Sequence, residues 1–71
     1  MRISKSLTRQ ERRILALVIN GQRNANIAME LCISVRTVEN HLHRIFNKLE
    51  VSSRTEAAIY ALQTGLLSYS E

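Results

Sequence analysis

The sequence predicts an all-α fold of four short helices. Three observations carry that prediction. Proline is absent and glycine occurs twice in 71 residues, so little interrupts helical backbone. Apolar residues recur at spacings of three and four along the chain, the period of helices with one buried face. Residues that start and stop helices also punctuate the chain between these stripes: Thr8, Asn24, Ser34 and Ser53 as N-caps, with Gly21 and Gly65 as terminators.

Thr8-Arg9-Gln10-Glu11 fits a capping box, in which the threonine hydroxyl and the glutamate carboxylate each accept from the other's backbone N–H. The first helix then covers about 9–20, with Ile14, Leu15, Leu17, Val18 and Ile19 on its buried side. Arg9, Arg12, Arg13 and Ala16 fall on the other side. The second helix, about 24–31, starts less well. Asn24 is its expected N-cap, but no Glu or Gln stands three residues on, so a one-sided cap that frays easily is expected. Ile27, Ala28 and Leu31 share its apolar side. Cys32 and Ile33 make a tight turn, and a positive φ at Cys32 would cost roughly 1 kcal/mol.

Ser34 then caps a third helix, about 35–49, whose apolar stripe is Val35, Val38, Leu42, Ile45, Phe46 and Leu49. Its opposite face carries Arg36, Glu39, Asn40, His43, Arg44, Asn47 and Lys48. A short helix, a tight turn and a longer helix with such a polar face form a helix-turn-helix pattern. Ser53-Arg54-Thr55-Glu56 reads as a second capping box for a fourth helix, about 54–64. Ala57, Ala58 and Ala61 permit close packing there. Thr55, Ile59, Leu62 and Leu66 fall on a different side, with no evident partner within the chain. The bland reading of that side is that Leu62 and Leu66 close the core and Ile59 is a lone exposed residue. Residues 1–6 read as an arm or linker, 7–67 as one domain and 68–71 as a frayed tail.

Composition narrows the function. A hydrophobic content of 45% argues against disorder, and a net charge of +4 suits a binder of polyanions. One cysteine allows no internal disulfide, which fits a cytoplasmic setting. No apolar run approaches the ~20 residues of a membrane span. No paired carboxylates, nucleophile–base set or Gly-rich phosphate loop is present, so no enzyme and no cofactor are expected. His41 and His43 do not suggest a metal site, because helical residues two apart point about 200° from each other. His41 is expected to be packed and hydrogen-bonded, and Cys32 to be a small buried filler.

Laid out in order, these pieces resemble the DNA-binding domain of the LuxR/FixJ family of bacterial transcription regulators. The match runs from about Leu7 to Leu66. It rests on Leu7-Thr8, Glu11, Ile14-Leu15, Gly21, Asn24, Ile27-Ala28, Leu31, Ile33-Ser34, Thr37-Val38 and His41. It continues through Ile45, Lys48-Leu49, Val51, Ser53-Arg54, Glu56-Ala57, Ala61 and Gly65-Leu66. The chain departs from the family at Gln10, usually Arg, and at Arg23 and Asn26, where a capping Ser and Glu are common. It departs again at Glu39, often Lys, and at Glu50, often Gly.

The resemblance implies that the third helix enters the DNA major groove and the fourth forms a dimer on two half-sites. By analogy Glu39, Asn40 and His43 face base edges. Gln22, Arg23, Asn24, Ser34, Arg36, Thr37, Arg44, Asn47 and Lys48 lie near phosphates, and Thr55, Ile59, Leu62 and Leu66 form the dimer surface. A homodimer on DNA, weak or monomeric when free, and a contact with RNA polymerase are the implied partnerships. Such domains are often the output of a response regulator or of a small-molecule sensor. Two other readings compete: a sigma-factor region 4-like promoter binder, and a protein-interaction module that has lost DNA binding.

Overall fold

The computed structural model describes residues 7–65. The expected arm at 1–6 and tail at 68–71 lie outside the described residues. Four helices follow one another: α1 (Arg9–Ile19), α2 (Asn24–Leu31), α3 (Val35–Leu49) and α4 (Arg54–Thr64). Among the described residues there is no strand. The expected all-α architecture is therefore the observed one.

α3 is the central helix and packs against each of the other three. Its residues Val38, Leu42, Ile45 and Leu49 meet Ile14, Leu15 and Val18 of α1, Ile27 and Ala28 of α2, and Ala57 and Ala61 of α4 in one core cluster. Two small alanines on the inner side of α4 let that helix lie close to the core. Leu17, Ile19 and Phe46 are partly buried against it. Val35 does not join the stripe expected of it. It is the first residue of α3 and 41% exposed, because the helix seats on the core only from Val38 onward.

Three of the helices end in the same way. After α1 the Gly21 amide donates to the Val18 carbonyl and the Gln22 amide to Leu17. After α2 the donors are Cys32 to Met29 and Ile33 to Ala28; after α3 they are Glu50 to Asn47 and Val51 to Phe46. This paired return satisfies the last orphan carbonyls and needs one residue in the left-handed region. Gly21 supplies it at φ 85°, but Cys32 and Glu50 both hold φ 59° with side chains attached. The strain anticipated at Cys32 is present. So is a second instance at Glu50, foreshadowed by its standing where glycine is common. Cys32 itself is exposed, not the buried filler expected, because this terminator sits on the outer corner of the turn.

The helix starts follow the sequence in part. The Thr8–Glu11 capping box is complete, with the Thr8 amide donating to Glu11 Oε1 at 2.9 Å and the Glu11 amide to Thr8 Oγ1 at 3.1 Å. Ser34 Oγ accepts from the Thr37 amide at 3.0 Å. At α4 the box is half-formed. Ser53 Oγ accepts from the Glu56 amide, but Glu56 Oε1 reaches the Ser52 amide at 2.7 Å instead of that of Ser53. At α2 the cap falls one residue early, on Arg23, whose side chain makes no capping bond; Asn24 is already helical.

Candidate nucleic-acid interface

The exposed side of α3 is built by exclusion. With Val38, Leu42, Ile45 and Leu49 turned inward, helical geometry turns Arg36, Asn40, His43, Arg44 and Asn47 outward, with Glu39 along one edge. All six are exposed. The row carries two guanidiniums, one carboxylate, two amides and an imidazole, so it offers donors and acceptors together with a small positive excess. At the start of the helix Ser34 Oγ and Thr37 Oγ1 lie 2.9 Å apart, so two of the expected phosphate ligands form one hydroxyl pair.

Two expected phosphate contacts have work inside the domain. Lys48 lies on the flank of α3 that faces α1, and its Nζ donates to Glu11 Oε1 at 2.7 Å. Glu11 is 3% exposed. Burial pushes its carboxyl pKa up, but the Lys48 bond and charge and the Thr8 amide outweigh that, and its pKa lies below the usual range. Asn24 Oδ1 accepts from Arg54 Nη1 at 2.6 Å, while Arg54 Nη2 donates to the Gln22 carbonyl at 2.7 Å. One guanidinium thus ties the start of α4 to the α1–α2 loop and to the first turn of α2. Sequence reading gave neither Glu11 nor Arg54 this role. A signal existed for Arg54: a cation in the first turn of a helix opposes the helix dipole, and such a residue needs a partner elsewhere.

His41 is half-buried beside this flank, and its Nδ1 is buried without a hydrogen-bond partner. Packing is as expected; the expected hydrogen bond at that nitrogen is not there. On α4, Thr55, Ile59 (48%) and Leu62 (69%) are exposed. Leu62 therefore does not close the core, whereas Ile59 is exposed on either reading of that side. Leu66 lies outside the described residues. Between the α1–α2 loop and α4 runs an open groove of about 570 Å³, with Arg23, Asn24, Arg54 and Ile59 among its walls. No helix of the described residues is long and apolar enough to cross a membrane.

A short helix and a longer one joined by a three-residue turn, braced from behind by α1 and α4, with a polar row on the longer helix, define a helix-turn-helix nucleic-acid-binding domain. Residues 5–61 match the family described as bacterial regulatory proteins, luxR family. The chain belongs to that family, as its DNA-binding helix-turn-helix domain. It is 44% identical over 64 residues to the transcriptional regulatory protein LiaR of Bacillus subtilis, covering 90% of this chain and 30% of LiaR. It is likewise 44% identical over 61 residues to the response regulator VraR of Staphylococcus aureus, covering 86% of this chain and 29% of VraR. The chain thus spans about 30% of the length of these relatives.

Among solved structures, transcription factor GerE superposes with a TM-score of 0.77 at 37% identity, covering 86% of this chain and 92% of GerE. The Vibrio cholera VqmA–ligand–DNA complex superposes at 0.85 and 27% identity, covering 99% of this chain and 31% of that one. The family is one of non-enzymatic regulators.

Proposed function

We propose that this domain binds a specific double-stranded DNA sequence as the output of a bacterial transcription regulator in the cytoplasm. α3 lies in the major groove, and a second copy joins through α4 on a paired half-site. The observation that carries the reading is the exposed row on α3, mounted on a helix that from Val38 onward seats its other side, through Val38, Leu42, Ile45 and Leu49, in the core. Asn40, His43 and Glu39 read base edges: the Asn amide suits adenine, and the carboxylate accepts from a cytosine amino group. Arg36, Arg44, Asn47, Ser34 and Thr37 meet phosphates, joined by Gln22, Arg23 and Asn24 at the start of α2, where no side chain caps the free amides. Lys48 leaves this set, because its ammonium is held by Glu11.

That VqmA is described in complex with DNA supports the same use of this fold. The likeness to LiaR and VraR supports a response regulator as the parent protein. A dimer surface built from one short helix is small, so the free domain is monomeric at modest concentration and pairs on DNA. A contact with RNA polymerase belongs to the same proposal.

Selection from a random duplex pool at two salt concentrations tests it. The expected result is an enriched motif of two related half-sites. Asn40→Ala and His43→Ala should relax it, at about 1–3 kcal/mol per lost base contact. If both variants keep the parent's preference, the assignment of base readers fails. If no duplex is bound even at low salt, a protein-interaction role replaces DNA binding.

A further inference from the structure

Among the described residues, Val35 is the one large apolar side chain that α3 leaves exposed. Its position is well defined. It is the first helical residue after the Ser34 cap, where the Thr37 amide is held by Ser34 Oγ and the Val38 amide by the Ser34 carbonyl. A valine has a single side-chain torsion, strongly restricted in a helix, so its two methyl groups are held nearly fixed. Val35 stands one turn before Glu39, and Glu39 one turn before His43. The three form a row along one edge of the outward face.

Building on the reading of α3 as the helix that enters the major groove, we infer that Val35 is a specificity-determining residue that reads a thymine through its C5 methyl group. Residues at the start of a recognition helix are those that meet base edges. In the major groove the thymine methyl is the apolar feature, whereas guanine, adenine and cytosine present acceptors or amino groups. Set against such a polar group, the Val35 methyls would strip it of water without pairing it, which disfavours those bases. Each half-site should therefore carry a thymine neighbouring the base pair that Glu39 faces.

The experiment starts from the motif enriched by the wild-type domain. Each thymine in it is replaced singly by uracil, which removes the methyl and keeps base pairing. One position per half-site should lose about fourfold in affinity, the worth of one buried methyl-sized group. Val35→Ala should bind the thymine and uracil duplexes equally, with unchanged thermal stability because the side chain is exposed. Equal binding of thymine and uracil duplexes by the wild type overturns the inference. So does a uracil penalty of the same size in Val35→Ala, which would assign the methyl to another residue. In both cases the motif itself stands, and with it the DNA reading. A pool without any enriched motif removes that underlying reading, and the inference falls with it.

Discussion

Arg54 donates to the Asn24 side chain at 2.6 Å across thirty positions of sequence, and the same guanidinium holds the Gln22 carbonyl at 2.7 Å. The bond joins the first turn of α4 to the first turn of α2, so the two helices that flank α3 are fixed to each other at their N-terminal ends. It also immobilises the segment 22–24, which carries three of the proposed phosphate contacts. Arg54→Lys keeps the charge but cannot span both acceptors from a single point. We expect it to lower unfolding free energy by about 1–3 kcal/mol, the range for losing a charge-assisted bond. DNA affinity should fall as well, although Arg54 is not proposed to touch DNA. Urea unfolding and duplex titration check the two effects. Unchanged affinity in a destabilised Arg54→Lys would show that segment 22–24 does not depend on this tie.

The Glu11–Lys48 pair gives a pH signature. The Glu11 carboxyl pKa is lower in the folded domain than in the unfolded chain. Its contribution to stability is therefore fully present above the unfolded value of about 4.3 and is lost as pH falls through the lower folded value. Glu11→Gln should be less stable than the wild type near neutrality, by about 1–3 kcal/mol. It should also lose less stability than the wild type as pH drops from about 6 to 3. Parallel pH profiles for the two proteins would mean that the pair contributes no pH dependence.

The left-handed residues at the ends of α2 and α3 predict stabilising changes. Cys32→Gly and Glu50→Gly each relieve a φ of 59°, at some cost in unfolded-chain entropy. The net gain is expected to be about 0.5–1 kcal/mol. Glu50→Gly should gain more, because it also removes a carboxylate from the negative end of the α3 dipole. Thermal melts rank the two variants. A lower melting temperature for Glu50→Gly would show that its carboxylate has an offsetting role.

What the sequence made legible, and what it did not, follows from the range of each interaction. Helix bounds and the Thr8, Ser34 and Ser53 caps depend on residues a few positions apart, and the periodicity of α3 marks Val38, Leu42, Ile45 and Leu49 for the core. The outward row of α3 followed from the same stripe. Glu11, by contrast, reads as a capping residue because half of its role is local; its bond to Lys48 spans 37 positions and becomes visible only once α1 lies on α3. Arg54 escaped for the same reason. Val35 fits the stripe by spacing, but spacing says nothing of where a helix first meets its neighbour. Residue type alone points Cys32 inward, but as the left-handed terminator of α2 it occupies an outer corner of the turn, which residue type does not reveal.

The outer side of α4 supplies the last prediction. Leu62 is 69% exposed and Ile59 48%, next to the small inward alanines that already complete the packing of that helix. A charge at Leu62 therefore costs the monomer little: Leu62→Asp should change unfolding free energy by less than about 0.5 kcal/mol, as for surface substitutions away from special features. In a dimer formed through this side the same carboxylate would face its own copy across the two-fold axis, desolvated and of like charge. Leu62→Asp should then bind a single half-site as the wild type does and lose the extra affinity for paired half-sites. A titration of duplexes with one and with two half-sites measures the difference. Retention of cooperative binding by Leu62→Asp would move the dimer contact off this side of α4.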